Sequence, residues 1–222
     1  MLDILPSIEI NPAKPPIGSV ILLHGLGADG NDFVPIIPEL NLPESCPLRF
    51  VFPNAPAIPV TINNGYIMPA WYDIASLSLD QRADQAGIIK SVAAVQQLIL
   101  REEKLGIPAD KIILAGFSQG AVIALTTGLT FPKRLGGILA LSGYLPQPEI
   151  LMQNADPLNK STPIFLGHGI QDPVVPLFLG EAIHQTLTAH HYSVSWHRYM
   201  MAHSVCAMEI KDIGEWLGKI FG

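Results

Sequence analysis

Two kinds of hydrophobic pattern alternate along this chain. Short, β-branched apolar runs at Ser19–Leu23, Leu48–Phe52, Ile112–Ala115, Leu135–Leu141, Pro163–Leu166 and Val194–Tyr199 predict buried strands. Leu2–Ile10 predicts an edge strand, the one position where Pro6 is tolerated. Between them lie segments with helical spacing. In Gln81–Lys104, residues Ile88, Ile89, Val92, Val95, Leu98 and Ile99 fall on one face, which is core packing. Phe178–Ala189 and Ser204–Ile220 also read as helices, and Asn31–Leu40 as a short one despite Pro35 and Pro38. Ala57–Ser78, rich in Pro, Asn, Gly and aromatics, reads as a long irregular segment, and such loops in compact domains usually carry function. Strand and helix alternating in this way predict a mostly parallel central sheet with helices on both faces. No linker interrupts the pattern, and 222 residues suit one α/β domain spanning 1–222.

One junction in that pattern carries chemistry. The strand Ile112–Ala115 runs through Gly116-Phe117-Ser118-Gln119-Gly120 into the breaker-free segment Ala121–Leu125. A strand entering a helix through G-x-S-x-G is a nucleophile elbow. The flanking glycines admit a turn too tight for side chains, and the helix N-terminus aims unpaired N–H groups at any oxyanion formed at Ser118.

A serine hydroxyl needs a base, and the base needs a carboxylate to hold its tautomer. Both are sought beyond the carboxyl ends of strands, in the order Ser, acid, His. Asp172 follows the strand Pro163–Leu166 closely and is favoured as the acid. Its competitor Asp156 lies in a proline-bearing loop with no strand directly before it. Five of the seven histidines follow Asp172. His184, His190 and His191 belong to a helix or its end, and His197 sits inside the last strand. His203 alone occupies the loop between the last strand and the closing helix, which makes it the base. His24 and His168 end strands in His-Gly pairs, where packing or loop-shaping roles suit them. For the oxyanion, the backbone N–H groups of Gln119 and of Leu26, in His24-Gly25-Leu26-Gly27, are the expected donors.

Composition narrows the partners. The chain is 49% hydrophobic and 14% charged, with a net charge of −6 and no Lys/Arg cluster. That balance excludes disorder and argues against nucleic acid or an anionic membrane as an electrostatic partner. No apolar run is long enough to span a bilayer, and the acidic, proline-bearing N-terminus is no secretory signal. Cys46 and Cys206 read as free thiols in a reducing cytoplasm. No His-x-x-x-His or Cys pair suggests a metal, and the chemistry needs no cofactor. The sparing surface charge leaves room for a homodimer.

Taken together, LHGLGADGNDF at Leu23–Phe33, PNAP at Pro53–Pro56, AWYD at Ala70–Asp73, GFSQGA, HGIQDPVVP at His168–Pro176 and HSVC followed by Glu209 resemble one family. This is the carboxylesterase/acyl-protein thioesterase (phospholipase/carboxylesterase) family of α/β hydrolases, in what looks like its bacterial branch. The resemblance covers nearly the whole chain. It implies the α/β-hydrolase fold, a Ser118–Asp172–His203 triad, and ester or thioester substrates with apolar acyl chains. Small esters and acylated proteins are both expected substrates, with lysophospholipase or protein depalmitoylase as alternative main activities. A non-catalytic binding module is the remaining alternative, though no triad member is missing. The resemblance also implies that the loop carrying Trp71 lines an acyl groove; on the residues alone Trp71 is equally a core aromatic or a pocket wall. One departure is visible: Ala202 stands where the family usually has glycine before the histidine.

Overall fold

The computed structural model describes residues 4–76 and 84–222. Its strands are β1 (Ser7–Ile10), β2 (Gly18–Leu23), β3 (Leu48–Pro53), β4 (Ala57–Val60), β5 (Tyr66–Pro69), β6 (Ile112–Phe117), β7 (Gly137–Leu141), β8 (Ile164–Gly169) and β9 (Val194–Tyr199). Its α-helices are α1 (Ile36–Glu39), α2 (Gln85–Lys104), α3 (Gln119–Thr130), α4 (Pro148–Asn154), α5 (Leu177–Ala189) and α6 (Ala207–Phe221). Seven strands form one sheet in the order β1-β3-β2-β6-β7-β8-β9. Every pairing in it is parallel except β1 with β3.

The uninterrupted apolar runs are explained by burial on both sheet faces, as parallel sheets require. In β2, Ile21 and Leu23 enter one core cluster while Val20 and Leu22 enter another. β6 alternates in the same register: Ile112 and Leu114 on the first side, Ile113 and Ala115 on the second. Helices α2 and α3 pack on the first side, and Ile213, Leu217 and Phe221 of α6 on the second.

The expected edge strand is the short antiparallel β1, and Pro6 precedes it, its carbonyl accepting the Asn54 N–H at 2.8 Å. The expected helix from Gln81 is found from Gln85; residues 81–83 lie outside the described residues. Two elements depart from the expectation. The segment read as irregular contains an antiparallel hairpin, β4 with β5, in which Pro59 faces Ile67. Proline and the exposed Tyr66 and Ile67 conceal its alternation. The connection after β7 holds α4, which begins at Pro148, where the missing proline N–H costs nothing.

Candidate active site

The end of β6 and the start of α3 meet at Ser118, whose φ of 55° and ψ of −116° lie outside the usual regions for a residue with a side chain. Its N–H donates to the Leu141 carbonyl at 2.8 Å, which helps hold that conformation. Neither flanking glycine has a positive φ; both are demanded by crowding. A Cβ at Gly116 would overlap the Gly120 carbonyl, and one at Gly120 would overlap the carbonyls of Leu23 and His24. Strand, turn and helix are therefore pressed together, with the hydroxyl left at the rim.

His203 reaches that rim from the loop between β9 and α6. Its Nε2 is 2.9 Å from the Ser118 Oγ, and its Nδ1 is 2.6 Å from Asp172 Oδ2. Asp172 is buried, and its other oxygen, Oδ1, accepts the N–H groups of Val174 and Val175, each at 2.8 Å. Both carboxylate oxygens are thus used, and the Oδ2 bond sets the His203 proton on Nδ1, leaving Nε2 to accept from the serine. The structure brings Ser118, Asp172 and His203 together. Asp156 is elsewhere, capping a short 3₁₀ turn by accepting the Leu158 N–H at 2.9 Å. His184 stacks on Trp196, His197 stacks on Phe165, and His190 contacts the Thr186 carbonyl at the end of α5. The Ala202 departure costs no strain: the residue is exposed and is not among those with positive φ.

The expected oxyanion donors lie in two segments tied to one another. Leu26 lies between Gly25 and Gly27, and Gly27 adopts a φ of 74° and donates its N–H to the Pro69 carbonyl at 2.8 Å. His24 shapes this loop. Its Nε2 accepts the Ala55 N–H at 3.0 Å, so the ring proton sits on Nδ1, which donates to the Gly25 carbonyl at 2.7 Å. In a trans peptide, pinning the Gly25 C=O one way aims the Leu26 N–H the other. Burial, the main influence, lowers the His24 pKa and favours this neutral ring. His168, also buried, holds the loop after Asp172 by donating from Nε2 to the Val175 carbonyl at 2.8 Å, and its pKa too is lowered, chiefly by burial.

Gln119 serves twice. Its backbone N–H opens α3, while its side-chain Oε1 accepts the Trp71 N–H at 2.8 Å and its Nε2 donates to the Tyr72 carbonyl at 2.7 Å. Trp71 is placed differently from the groove wall that the resemblance implied. It is 2% exposed, does not line the cleft, and donates its indole N–H to the His24 carbonyl at 2.8 Å. An amphipathic ring at a buried position finds a partner for its N–H, and here that partner belongs to the loop that carries Leu26, the expected oxyanion donor. The loop's contribution to the wall comes instead from Tyr72 and Ile74.

The cleft itself has a volume of about 730 Å³ and is mostly apolar. Leu26, Ile62, Tyr72, Ile74, Tyr144 and Val175 line one part, with the Tyr72 and Tyr144 hydroxyls 2.9 Å apart. Of these lining residues only Leu26 was singled out from sequence. A tyrosine beside Trp71 in AWYD was a usable signal, but nothing local marks Tyr144.

Residues 6–221 match the phospholipase/carboxylesterase family. The chain belongs to it. Acyl-protein thioesterase 1 of Schizosaccharomyces pombe is 43% identical over 178 residues, covering 80% of this chain and 79% of its own. The Yarrowia lipolytica protein of the same name is 36% identical over 217 residues, covering 96% of each. The crystal structure of Zea mays acyl-protein thioesterase 2 superimposes with a TM-score of 0.86 at 29% identity, covering 98% of this chain and 99% of that one. The parallel sheet is thus that of an α/β hydrolase. These relatives are eukaryotic and lend no support to placement in a bacterial branch.

Proposed function

We propose that Ser118, His203 and Asp172 carry out acyl transfer to water through a covalent acyl-enzyme, with Leu26 and Gln119 N–H groups holding the oxyanion. The chain is a serine hydrolase of carboxylic esters and thioesters, and the Ser118–His203–Asp172 hydrogen-bond chain is the observation that carries this mechanism. His203 takes the serine proton through Nε2 as the hydroxyl attacks the carbonyl carbon. The charge that develops on the carbonyl oxygen falls where two N–H groups converge. His203 then returns the proton to the departing alcohol or thiol, and water repeats the cycle on the acyl-serine. The apolar lining beside Ser118 supports acyl chains as the group transferred, and the thioesterase relatives support acylated proteins among the substrates. No helix of the described residues is long and apolar enough to cross a membrane. Two free cysteines support a reducing, cytoplasmic setting. The sparing surface charge is the ground for a homodimer, which elution at twice the monomer mass would establish.

Ser118→Ala is expected to abolish fluorophosphonate labelling and p-nitrophenyl ester hydrolysis with an unchanged circular dichroism spectrum. Asp172→Asn is expected to lower kcat by about 10³- to 10⁴-fold, since it forfeits the tautomer control. Asp156→Asn, which keeps a capping oxygen, is expected to stay near the parent rate. Persistent labelling of the alanine variant, or a reversal between the two asparagine variants, would refute the assignment.

A further inference from the structure

The cleft is lined by two apolar surfaces that belong to different cores. Leu26, Ile62, Tyr72, Ile74, Tyr144 and Val175 are members of, or pack on, the cluster beneath α2 and α3. Phe33, Ile36, Phe117, Val205 and Ile210 are members of, or pack on, the cluster on the opposite sheet face, beneath α6. Ser118 directly follows β6, whose side chains alternate between these faces, so the cleft crosses the rim of the sheet with the hydroxyl between its two arms. On the acyl-transfer reading, the acyl chain of the substrate takes one arm.

Which arm is which follows from the proton. The leaving atom must come within hydrogen-bond reach of His203 Nε2, because that nitrogen returns the proton removed from Ser118. The Phe117 ring lies 4.8 Å from the His203 ring, and Phe33 lies 5.7 Å from Phe117, a continuous apolar wall leading away from the imidazole. Val205 follows His203 by two residues and faces the same cleft. At the rim of this arm stand the exposed Asp32 and Ser204. We infer that the second arm is a binding site for the leaving group, and that the enzyme prefers alcohols or thiols carrying an apolar group of several carbons. This rests on the Ser118 acyl-transfer reading. A leaving group as small as methanol would leave five apolar side chains of this arm against water, and covering them is favourable in proportion to the area removed from water.

The test holds the acyl chain and the leaving-group basicity constant. Octanoyl esters of ethanol and of 3-phenylpropan-1-ol are compared by kcat/KM, with active sites counted by fluorophosphonate titration. The expected result is a preference for the phenylpropyl ester of about tenfold or more. That ratio is expected to fall towards one in Val205→Asp and in Ile36→Trp, the first making the arm polar and the second filling it. In Ile74→Trp, on the other arm, dependence on acyl length should change while the alcohol ratio persists. A ratio near one in the parent, an unchanged ratio in both second-arm variants, or a Val205→Asp effect on acyl length instead of alcohol overturns the inference. Hydrolysis of neither ester with Ser118 unlabelled overturns the underlying acyl-transfer reading, and the inference falls with it.

Discussion

Ser118 is held on an unusual backbone by neighbours on all sides, and the residues around it act mostly through what they position. Trp71 shows this best. Its indole N–H secures the His24 carbonyl, one peptide away from the Gly25–Leu26 unit whose N–H is the proposed oxyanion donor. Trp71→Phe keeps a ring in the core but removes that donor. The expected outcome is a fall of about tenfold in kcat with KM little changed, because the lost interaction orients a group used mainly in the transition state. Steady-state kinetics on one p-nitrophenyl ester would check the split. At this scale the sequence was legible where a residue's role follows from its place in the chain order. Ser118 sits in a motif with a mechanical basis, and His203 was the only histidine in a loop after the last strand. Trp71 stayed open between core and pocket wall on the residues alone, because a buried tryptophan and a groove-lining one look alike until the partner of the N–H is seen. The second task of Gln119 was hidden likewise, since its side chain bonds residues 47 and 48 positions away.

Helix α6 carries a group with its own pH dependence. Glu209 lies in its first turn, 0% exposed, and neither carboxyl oxygen has a hydrogen-bond partner among the described residues. A Cβ at Gly167 would overlap Oε1, so β8 and α6 approach as closely as they do only because position 167 lacks a side chain. Burial, with a smaller contribution from Asp212, pushes the Glu209 pKa from 4.5 up to about 8. A raised folded-state value means the folded protein keeps a proton that the unfolded chain has already released above pH 4.5. Stability from this group is therefore complete below that pH and drains away as pH rises towards about 8. Glu209→Gln has no proton to lose. Melting curves between about pH 5 and about pH 9 should show the variant gaining on the parent as pH rises, with the gap levelling off once the parent carboxyl is ionised. A gap that stays flat across the range would contradict the assignment. Element boundaries were legible wherever an apolar run was uninterrupted, as in β2, β3 and β6. The β4–β5 hairpin was not, because prolines at 59 and 69 mimic a loop. Helix α4 has no expectation behind it: its seven residues are too few for a clear helical period, and its one local mark is Pro148 at the first helical position, where proline is a start signal.

Across the whole molecule, a buried ion network fastens the antiparallel edge of the sheet to its helical layer. Glu102 of α2 is fully buried and accepts from Ser19 Oγ on β2 and from Arg49 Nε on β3, each at 2.9 Å. Arg49 also reaches Glu9 on β1 at 2.5 Å and the Asn11 side chain, and Arg101 bridges Glu9 and Glu102. Removing one member leaves buried charge uncompensated. Glu102→Ala is expected to cost about 3–5 kcal/mol in urea unfolding, far more than a surface pair would. The double change Glu102→Leu with Arg49→Met should recover much of that loss, because it removes both charges. Architecture at this scale was legible from alternation alone, since strand–helix–strand repeats leave few topologies open. The network was not, because its members are scattered from position 9 to position 102 and none stands in a recognisable pattern.

The bonds from the Gln119 side chain to the backbone at 71 and 72 have a consequence for how such an enzyme diversifies. The segment that shapes one arm of the cleft and the amide proposed to steady the reacting oxygen are fastened through a single glutamine. Lineages, or engineers, that rebuild this segment for a longer or bulkier chain will disturb the speed of the chemistry along with the choice of molecule, unless that fastening is carried over intact.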